Sequence, residues 1–322
     1  MKNFKAYLLQ KNNEKVTGQV QEISFDMLPV ADCLIEVHYS AVNYKDYLAC
    51  QTNGGVVRTY PFVPGIDLAG IIIQSANENF PVGQKVLATS FGLGVSHFGG
   101  WSEYASVPSE WLIKIPDEIS LKQAVTLGTA GLTAALCVEA IKNHLRPDSR
   151  ILITGATGGV STMARILLKQ LGFNNLVLMS QKKFETNDPV LSTADFLAQP
   201  KKALAKQEFD AVIDTVGGAV LSQLLSQVTY GGIVASCGNA GGIKLETTVL
   251  PFILRAVTLA GIDSVNTPND LRQKAWAQLF SSFDFEKVSP EIISLAQIPE
   301  VVTDFAKNRH VGRTVIQVRS NS

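Results

Sequence analysis

The run from Ile151 to Ser161 (ILITGATGGVS), continuing TMARILLKQLG to Gly172, constrains this chain more than any other stretch. Three apolar residues precede a glycine-rich turn. Met163, Ile166, Leu167 and Leu171 then recur near the i, i+3, i+4, i+8 spacing of one buried helix face. Gly172 stands where a helix C-cap belongs. A strand feeding a glycine turn into a helix N-terminus offers backbone N–H groups and the positive end of the helix dipole to an anion. This is how α/β sheets hold a pyrophosphate. Aligned on the G-x-G-x-x-G fingerprint, the three positions read Ala156, Gly158 and Ser161, so only the middle glycine is kept. An ordinary βα turn carries similar glycines, and the motif alone leaves both readings open.

The rest of the chain shows two textures. Up to about residue 120, short strand candidates (Cys33–Tyr39, Ile66–Ile73, Lys85–Ala88, Ser102–Val107) are separated by turn signals at Pro64-Gly65, Pro81–Gly83 and Phe98–Gly100. That pattern predicts a mainly antiparallel β domain. A helical stretch, Leu121–Lys142, leads into the strand at 150–154. Strands at Leu176–Met179, Ala211–Asp214, Gly232–Ser236 and Thr258–Ile262 then alternate with helical segments. Such βαβ alternation predicts a parallel, doubly wound sheet. A helix around Asp270–Ser281 and a last strand, Gly312–Val318, follow and are expected to return to the first domain. The fold class is α/β.

The 28 basic and 28 acidic residues cancel, which gives no electrostatic reason for a nucleic-acid or membrane partner. The first residues lack the apolar core of a signal peptide. Val249–Ala260 reads as the longest apolar run, interrupted by Arg255, which is expected to be an internal structural cation. Cys33, Cys50, Cys137 and Cys237 have no C-x-x-C spacing and read as reduced thiols of a cytoplasmic protein.

NAD-specific sheets place Asp or Glu at the end of the second strand to bind the ribose 2′-hydroxyl. Here that end reads Ser180-Gln181-Lys182-Lys183, a hydroxyl and two cations, which suits a 2′-phosphate and favours NADPH. Solvated loop lysines would look the same. Asp214 with Gly217, and Cys237 with Gly238, end further strands on the carboxyl edge of the sheet, where ligands bind. Cys237 reads equally as a small residue in a tight turn.

Several blocks resemble the medium-chain dehydrogenase/reductase superfamily, in its zinc-free quinone-oxidoreductase branch and the acrylyl-CoA reductase (YhdH/YhfP-type) group. They are Ser40–Asp46 (SAVNYKD), Pro61–Gly70 (PFVPGIDLAG), Gly92–Trp101 (GLGVSHFGGW), Gly128–Ala134 (GTAGLTA), Pro251–Arg255 (PFILR) and Gly261–Val265 (GIDSV). The resemblance implies a GroES-like, mainly β catalytic domain over 1–122 and 266–322 and a Rossmann domain over 123–265, with the active site in the cleft between them. It implies NADPH-dependent reduction of a carbon–carbon double bond conjugated to a carbonyl, with an acrylyl-CoA-like thioester as substrate. It further implies a homodimer using the Val257–Ile262 strand for sheet extension. Cofactor contacts are expected at Tyr44, Thr133, Thr157, Gly158, Gly159, Val160, Ser180, Lys182, Gly217, Cys237, Gly238, Ile262 and Arg313.

Two departures from the family pattern stand out. Ser161 replaces the last glycine of the phosphate turn. The stretch from Gly172 to Phe209 is shortened, and Lys183–Gln199 carries Asp188-Pro189 where relatives have a helix. The superfamily's Gly-His-Glu block reads Gly65-Ile66-Asp67, without the histidine, and Cys50 has no partners, so no metal site is expected.

Without a metal, hydride addition to an enoyl thioester needs a partner for the enolate oxygen and a proton source. Tyr44 is the first candidate, with an aromatic wall packed on the cofactor as its alternative role. His97, in the Gly92–Gly100 loop, is a candidate proton relay or a loop-ordering residue. Arg58 is a candidate for a substrate phosphate and Arg313 for a cofactor or substrate phosphate, since guanidinium binds phosphate in a fork. Two rival readings remain: a quinone or small-enal reductase, and a dinucleotide-binding protein with little catalysis.

Overall fold

The computed structural model describes residues 3–319. The chain divides into two compact units, one of residues up to Ala130 together with those from Val265 onward, the other Gly131–Ser264.

The first unit opens with β1 (Phe4–Asn12) and β2 (Lys15–Ile23), an antiparallel hairpin. Its turn residues Asn13 and Glu14 take φ of 45° and 65°, the paired positive φ that matches the twist of the strands. Then come β3 (Cys33–Val42), α1 (Tyr44–Ala49), β4 (Asp67–Ser75), β5 (Lys85–Thr89), β6 (Tyr104–Val107), β7 (Leu112–Lys114) and α2 (Leu121–Lys142). Cys33, Ile35 and Val37 of β3 are buried in alternation and pack with Leu68, Ile72, Val86 and Leu112.

Helix α2 breaks at Gly128, whose φ is 48° and ψ −151°. A Cβ there would sit 2.4 Å from both Arg313 Nη2 and Asp67 Oδ2, so only glycine fits. The backbone before the break serves the first unit: the carbonyls of Val125 and Thr126 accept from Arg313. This is why the division falls after Ala130 rather than at the expected 122/123 boundary. By length and composition α2 could also cross a membrane, and it is a longer stretch than the Val249–Ala260 run. However, 72% of its apolar window is buried inside the protein.

The second unit contains β8 (Ile151–Ile153), α3 (Gly159–Gln170), β9 (Leu176–Ser180), β10 (Val190–Ser192), α4 (Thr193–Ala198), β11 (Phe209–Asp214), α5 (Gly218–Leu224), β12 (Val228–Ser236), α6 (Leu250–Arg255) and β13 (Thr258–Gly261). They form a six-stranded parallel sheet in the order β10-β9-β8-β11-β12-β13. The order reverses between β8 and β11, the switch point at which such sheets bind ligands. Leu152, Val177, Val212 and Val234 form the core with Leu224 of α5 and Phe196 of α4. Arg255 donates to the carbonyls of Ser226 and Ala205, as an internal structural cation would.

The short strand β10 was not expected. It lies parallel to β9 and is reached through Gln181–Pro189 without a helix, although parallel neighbours usually need a longer, helical crossover. Asp188 holds this connector against α3. Its carboxylate accepts from Lys169 Nζ at 2.7 Å and from Arg165 Nε at 2.5 Å.

The chain returns to the first unit through α7 (Asn269–Ser282), β14 (Glu291–Ile293), α8 (Ile298–Ala306) and β15 (Thr314–Gln317). β15 pairs antiparallel with β3 and completes the seven-stranded sheet.

Candidate active site

In the second unit, Thr157, Gly158, Gly159, Val160, Ser180, Lys182, Gly217, Cys237 and Gly238 lie at or just past the carboxyl ends of β8, β9, β11 and β12, whereas Thr133 lies on α2 and Ile262 follows β13. Gly158 is the N-cap of α3. The first i→i−4 bond there runs from Thr162 N–H to Gly158 O (3.0 Å). The amides of Gly159, Val160 and Ser161 therefore precede the helical ladder, at the positive end of a helix dipole. Gly158, Gly159 and Val160 are half-buried and Thr157 is buried.

Ser161 replaces a glycine without disturbing this turn. Its hydroxyl is buried, donates to Thr154 O (2.7 Å) and lies 3.4 Å from Thr215 Oγ1. The hydroxyl is satisfied by the strand it packs on, so it carries no desolvation penalty. Ala156 N–H donates to Met179 O (3.0 Å), which joins the turn to the end of β9 and brings Ser180 alongside.

At that end, the Ser180 hydroxyl donates to Lys182 O and accepts from Lys182 N–H, both at 2.9 Å. Ser180 thus shapes the turn that carries Lys182. Burial pulls the Lys182 ammonium below the ordinary lysine range.

Asp214 ends β11, the fourth strand of this unit. Its buried carboxylate accepts from Thr154 Oγ1 (2.8 Å), Gly217 N–H (3.0 Å) and Val216 N–H (3.2 Å). Burial raises its pKa, opposed by these bonds. The Cys237 N–H donates to Asp214 O. A Cβ on Gly238 would lie 2.2 Å from Thr215 O. The close approach of two strand-end loops, independent of any ligand, requires glycine at this position. Ile262 N–H donates to Ser236 O, and Thr133 Oγ1 donates to Ser264 Oγ at 2.8 Å.

In the first unit, Tyr44 begins α1 and is 41% exposed. Burial, then the nearby Tyr47 phenol, pushes its pKa up. The hydroxyl therefore keeps its proton near neutral pH and can donate a hydrogen bond. His97 Nε2 donates to Ser106 O at 2.6 Å, and its ring meets the edge of Trp111. These contacts tie the Gly92–Gly100 loop to β6 and to Trp111. Arg58 is exposed on the turn that follows α1.

Arg313 does not fill the role expected of it. Its side chain is 3% exposed and donates to four acceptors: Nε to Thr126 O, Nη1 to Asn43 Oδ1, and Nη2 to Asp67 Oδ2 and Val125 O. A guanidinium committed to four acceptors has no fork left for a phosphate.

The sequence expects Asn43 and Asp46 to orient the loop that carries Tyr44, but does not reveal the network that joins them to Asp67 and Arg313. Asp67 also accepts from Asn43 Nδ2 and from the N–H and hydroxyl of Thr129. Asp46, fully buried, accepts from Asn43 N–H (2.8 Å), Ile66 N–H (2.9 Å) and Gly65 N–H (3.1 Å). Burial first, and the Asp67 charge among the lesser causes, pushes the Asp46 carboxyl up to about 7 against these N–H donors. Asn43 bridges both acids and caps α1, so the network fixes the start of the helix that carries Tyr44.

Residues 30–117 match the family model described as an alcohol dehydrogenase GroES-like domain, and residues 159–281 match that described as zinc-binding dehydrogenase. Bacillus subtilis YhfP is 42% identical over 98% of this chain and 99% of its own length. A solved structure of that protein with NAD bound, at 40% identity, gives a TM-score of 0.92 over 99% of this chain and 100% of the other. Acrylyl-CoA reductase AcuI of Ruegeria pomeroyi is 37% identical over 98% of this chain and 100% of its own. The structure of Escherichia coli K-12 YHDH with bound NADPH is 39% identical, with a TM-score of 0.93 over 98% of this chain and 100% of the other.

The metal in one of those family descriptions finds no ligand set here. Among the described residues, no three His, Cys, Asp or Glu side chains gather to hold an ion. Asp67, in the block where zinc members carry a ligand, is already bound by Arg313, Asn43 and Thr129.

Proposed function

This chain belongs to the medium-chain dehydrogenase/reductase superfamily, and from that premise we propose that it is an NADPH-dependent reductase of the carbon–carbon double bond of an α,β-unsaturated thioester resembling acrylyl-CoA. The observation that carries the cofactor choice is the end of β9, where Ser180, Lys182 and Lys183 stand without a carboxylate. The acrylyl-CoA reductase name of a relative 37% identical over nearly its whole length supports the substrate class.

NADPH, when bound, supplies the hydride. The amides of Gly159 and Val160, at the start of α3, hold its pyrophosphate, with Thr157 and Gly158 shaping the turn. Lys182 neutralises the 2′-phosphate on the turn built by Ser180. Gly217, Cys237, Gly238, Thr133 and Ile262 complete the cofactor side. Tyr44 donates a hydrogen bond to the thioester carbonyl and so stabilises the enolate that forms when the β-carbon is reduced. The α-carbon takes its proton from Tyr44 or from water. Arg58 is available for a phosphate of the substrate.

The exposed Tyr44 ring, beside Tyr47 at 5.5 Å, favours one second reading, in which a planar quinone or a small enal is the acceptor. Rates with acrylyl-CoA, acrolein and benzoquinone separate the two. The thioester reading expects the highest kcat/KM for acrylyl-CoA, with Arg58→Ala reducing that substrate alone.

A homodimer and a cytoplasmic location belong to the same reading. Among the described residues, the outer edge of β13 has no neighbouring strand, and Ile253 and Leu254 of α6 are exposed nearby in sequence. An open edge flanked by apolar side chains suits pairing with a second copy. Sedimentation velocity is expected to show a dimer that Ile253→Asp with Leu254→Asp converts to monomer.

A further inference from the structure

We propose that Phe305 and His310 are positioning residues for Tyr44, a role that rests on the reading of Tyr44 as the hydrogen-bond donor to the substrate carbonyl. Tyr44 lies on α1, whose six residues give its ring little support of their own. The support comes from the other end of the chain. Helix α8 packs on α1 and places Phe305 with its centroid 5.6 Å from Tyr47, the planes at 18°, and 6.3 Å from Tyr44. Tyr44, Tyr47 and Phe305 thus form a mutually touching triangle of rings.

Phe305 carries a further stacked ring. After α8 the chain turns sharply through Asn308, which takes φ of 53°. His310 is thereby folded back onto Phe305 at 4.0 Å with an interplanar angle of 13°. His310 is itself anchored, Nε2 lying 3.0 Å from the Thr314 hydroxyl at the start of β15. The order of contact is therefore β15, His310, Phe305, then Tyr47 and Tyr44. An exposed tyrosine on a short helix is free to change rotamer. One packed against a stack clamped by a sheet is held in a single orientation, which a hydrogen bond to a developing enolate requires.

The role predicts non-additivity. Phe305→Ala and His310→Ala are expected to lower kcat for acrylyl-CoA about tenfold, the scale of losing one oriented interaction, with KM for NADPH unchanged. His310→Phe keeps a flat ring on Phe305 and is expected to retain near wild-type kcat. The deciding measurement is the double-mutant cycle with Tyr44→Phe. If Phe305 acts through the Tyr44 hydroxyl, Phe305→Ala adds no further loss to Tyr44→Phe. Equal losses from Phe305→Ala in both backgrounds, or full kcat in a folded Phe305→Ala variant, overturn the proposal and leave the role of Tyr44 standing. Full activity in Tyr44→Phe overturns both. Circular dichroism melts of each variant separate a loss of orientation from a loss of folding.

Discussion

Arg313 and Asp67 form an ion pair, Nη2 to Oδ2 at 2.9 Å, with side chains only 3% and 0% exposed. The pair ties β15, near the end of the chain, to β4 and, through Asn43, to α1. Removing one partner leaves a buried charge uncompensated, which costs about 3–5 kcal/mol. Arg313→Ala is therefore expected to lower the melting temperature by many degrees. Arg313→Lys keeps the charge but cannot reach four acceptors, and should fall between. Thermal melts of both variants check the order.

The Asp46 carboxyl is pushed up to about 7, while in the unfolded chain it titrates near its ordinary value of 3.8. Between these values the folded state holds a proton that the unfolded chain has released. The stability Asp46 contributes is therefore complete below about pH 4 and is lost as pH rises through about 7. Asp46→Asn removes the titration and points an amide N–H2 at N–H donors. Urea unfolding from pH 4 to 8 is expected to show the wild type ahead throughout, with its advantage shrinking as pH rises.

Ser161→Ala deletes one of two hydroxyl bonds to the Thr154 carbonyl, since Thr215 Oγ1 also donates there at 3.0 Å. The loss is expected at the low end of about 0.5–1.5 kcal/mol. Titration of nicotinamide fluorescence should find NADPH binding nearly unchanged, because the amides ahead of α3 stay in place.

Lys182→Glu reverses the charge on the turn that Ser180 builds. A unit charge at contact near a protein surface is worth a kcal/mol or more, about tenfold in binding. The ratio of kcat/KM for NADPH over NADH is expected to fall by at least about tenfold, with NADH itself little affected. Steady-state kinetics with both cofactors measures the ratio.

Much of this architecture is legible in the sequence because its signals are local. The glycine turn and the spacing of Met163, Ile166 and Leu167 mark β8 and α3, and the alternation at Cys33–Val37 marks β3. Strand β10 is too short for a periodic signal, and the Asn13-Glu14 turn lacks the glycine that usually announces a hairpin. The network around Asp67 was invisible for a different reason. The Asn43–Asp46 segment lies far along the chain from Asp67, Thr129 and Arg313, and an arginine in this position reads as a phosphate ligand until its partners are known. The same separation hid the packing of Phe305 and His310 beside Tyr44, and of Asp188 against Arg165 and Lys169. Local pattern locates each strand end; which polar side chains meet there is decided by tertiary pairing.

Following NADPH oxidation with acrylyl-CoA and identifying the product decides whether this protein is an enoyl-thioester reductase. One saturated thioester, propionyl-CoA, is expected per NADPH consumed, with Tyr44→Phe strongly reduced. No NADPH oxidation above background at high enzyme concentration would contradict that function.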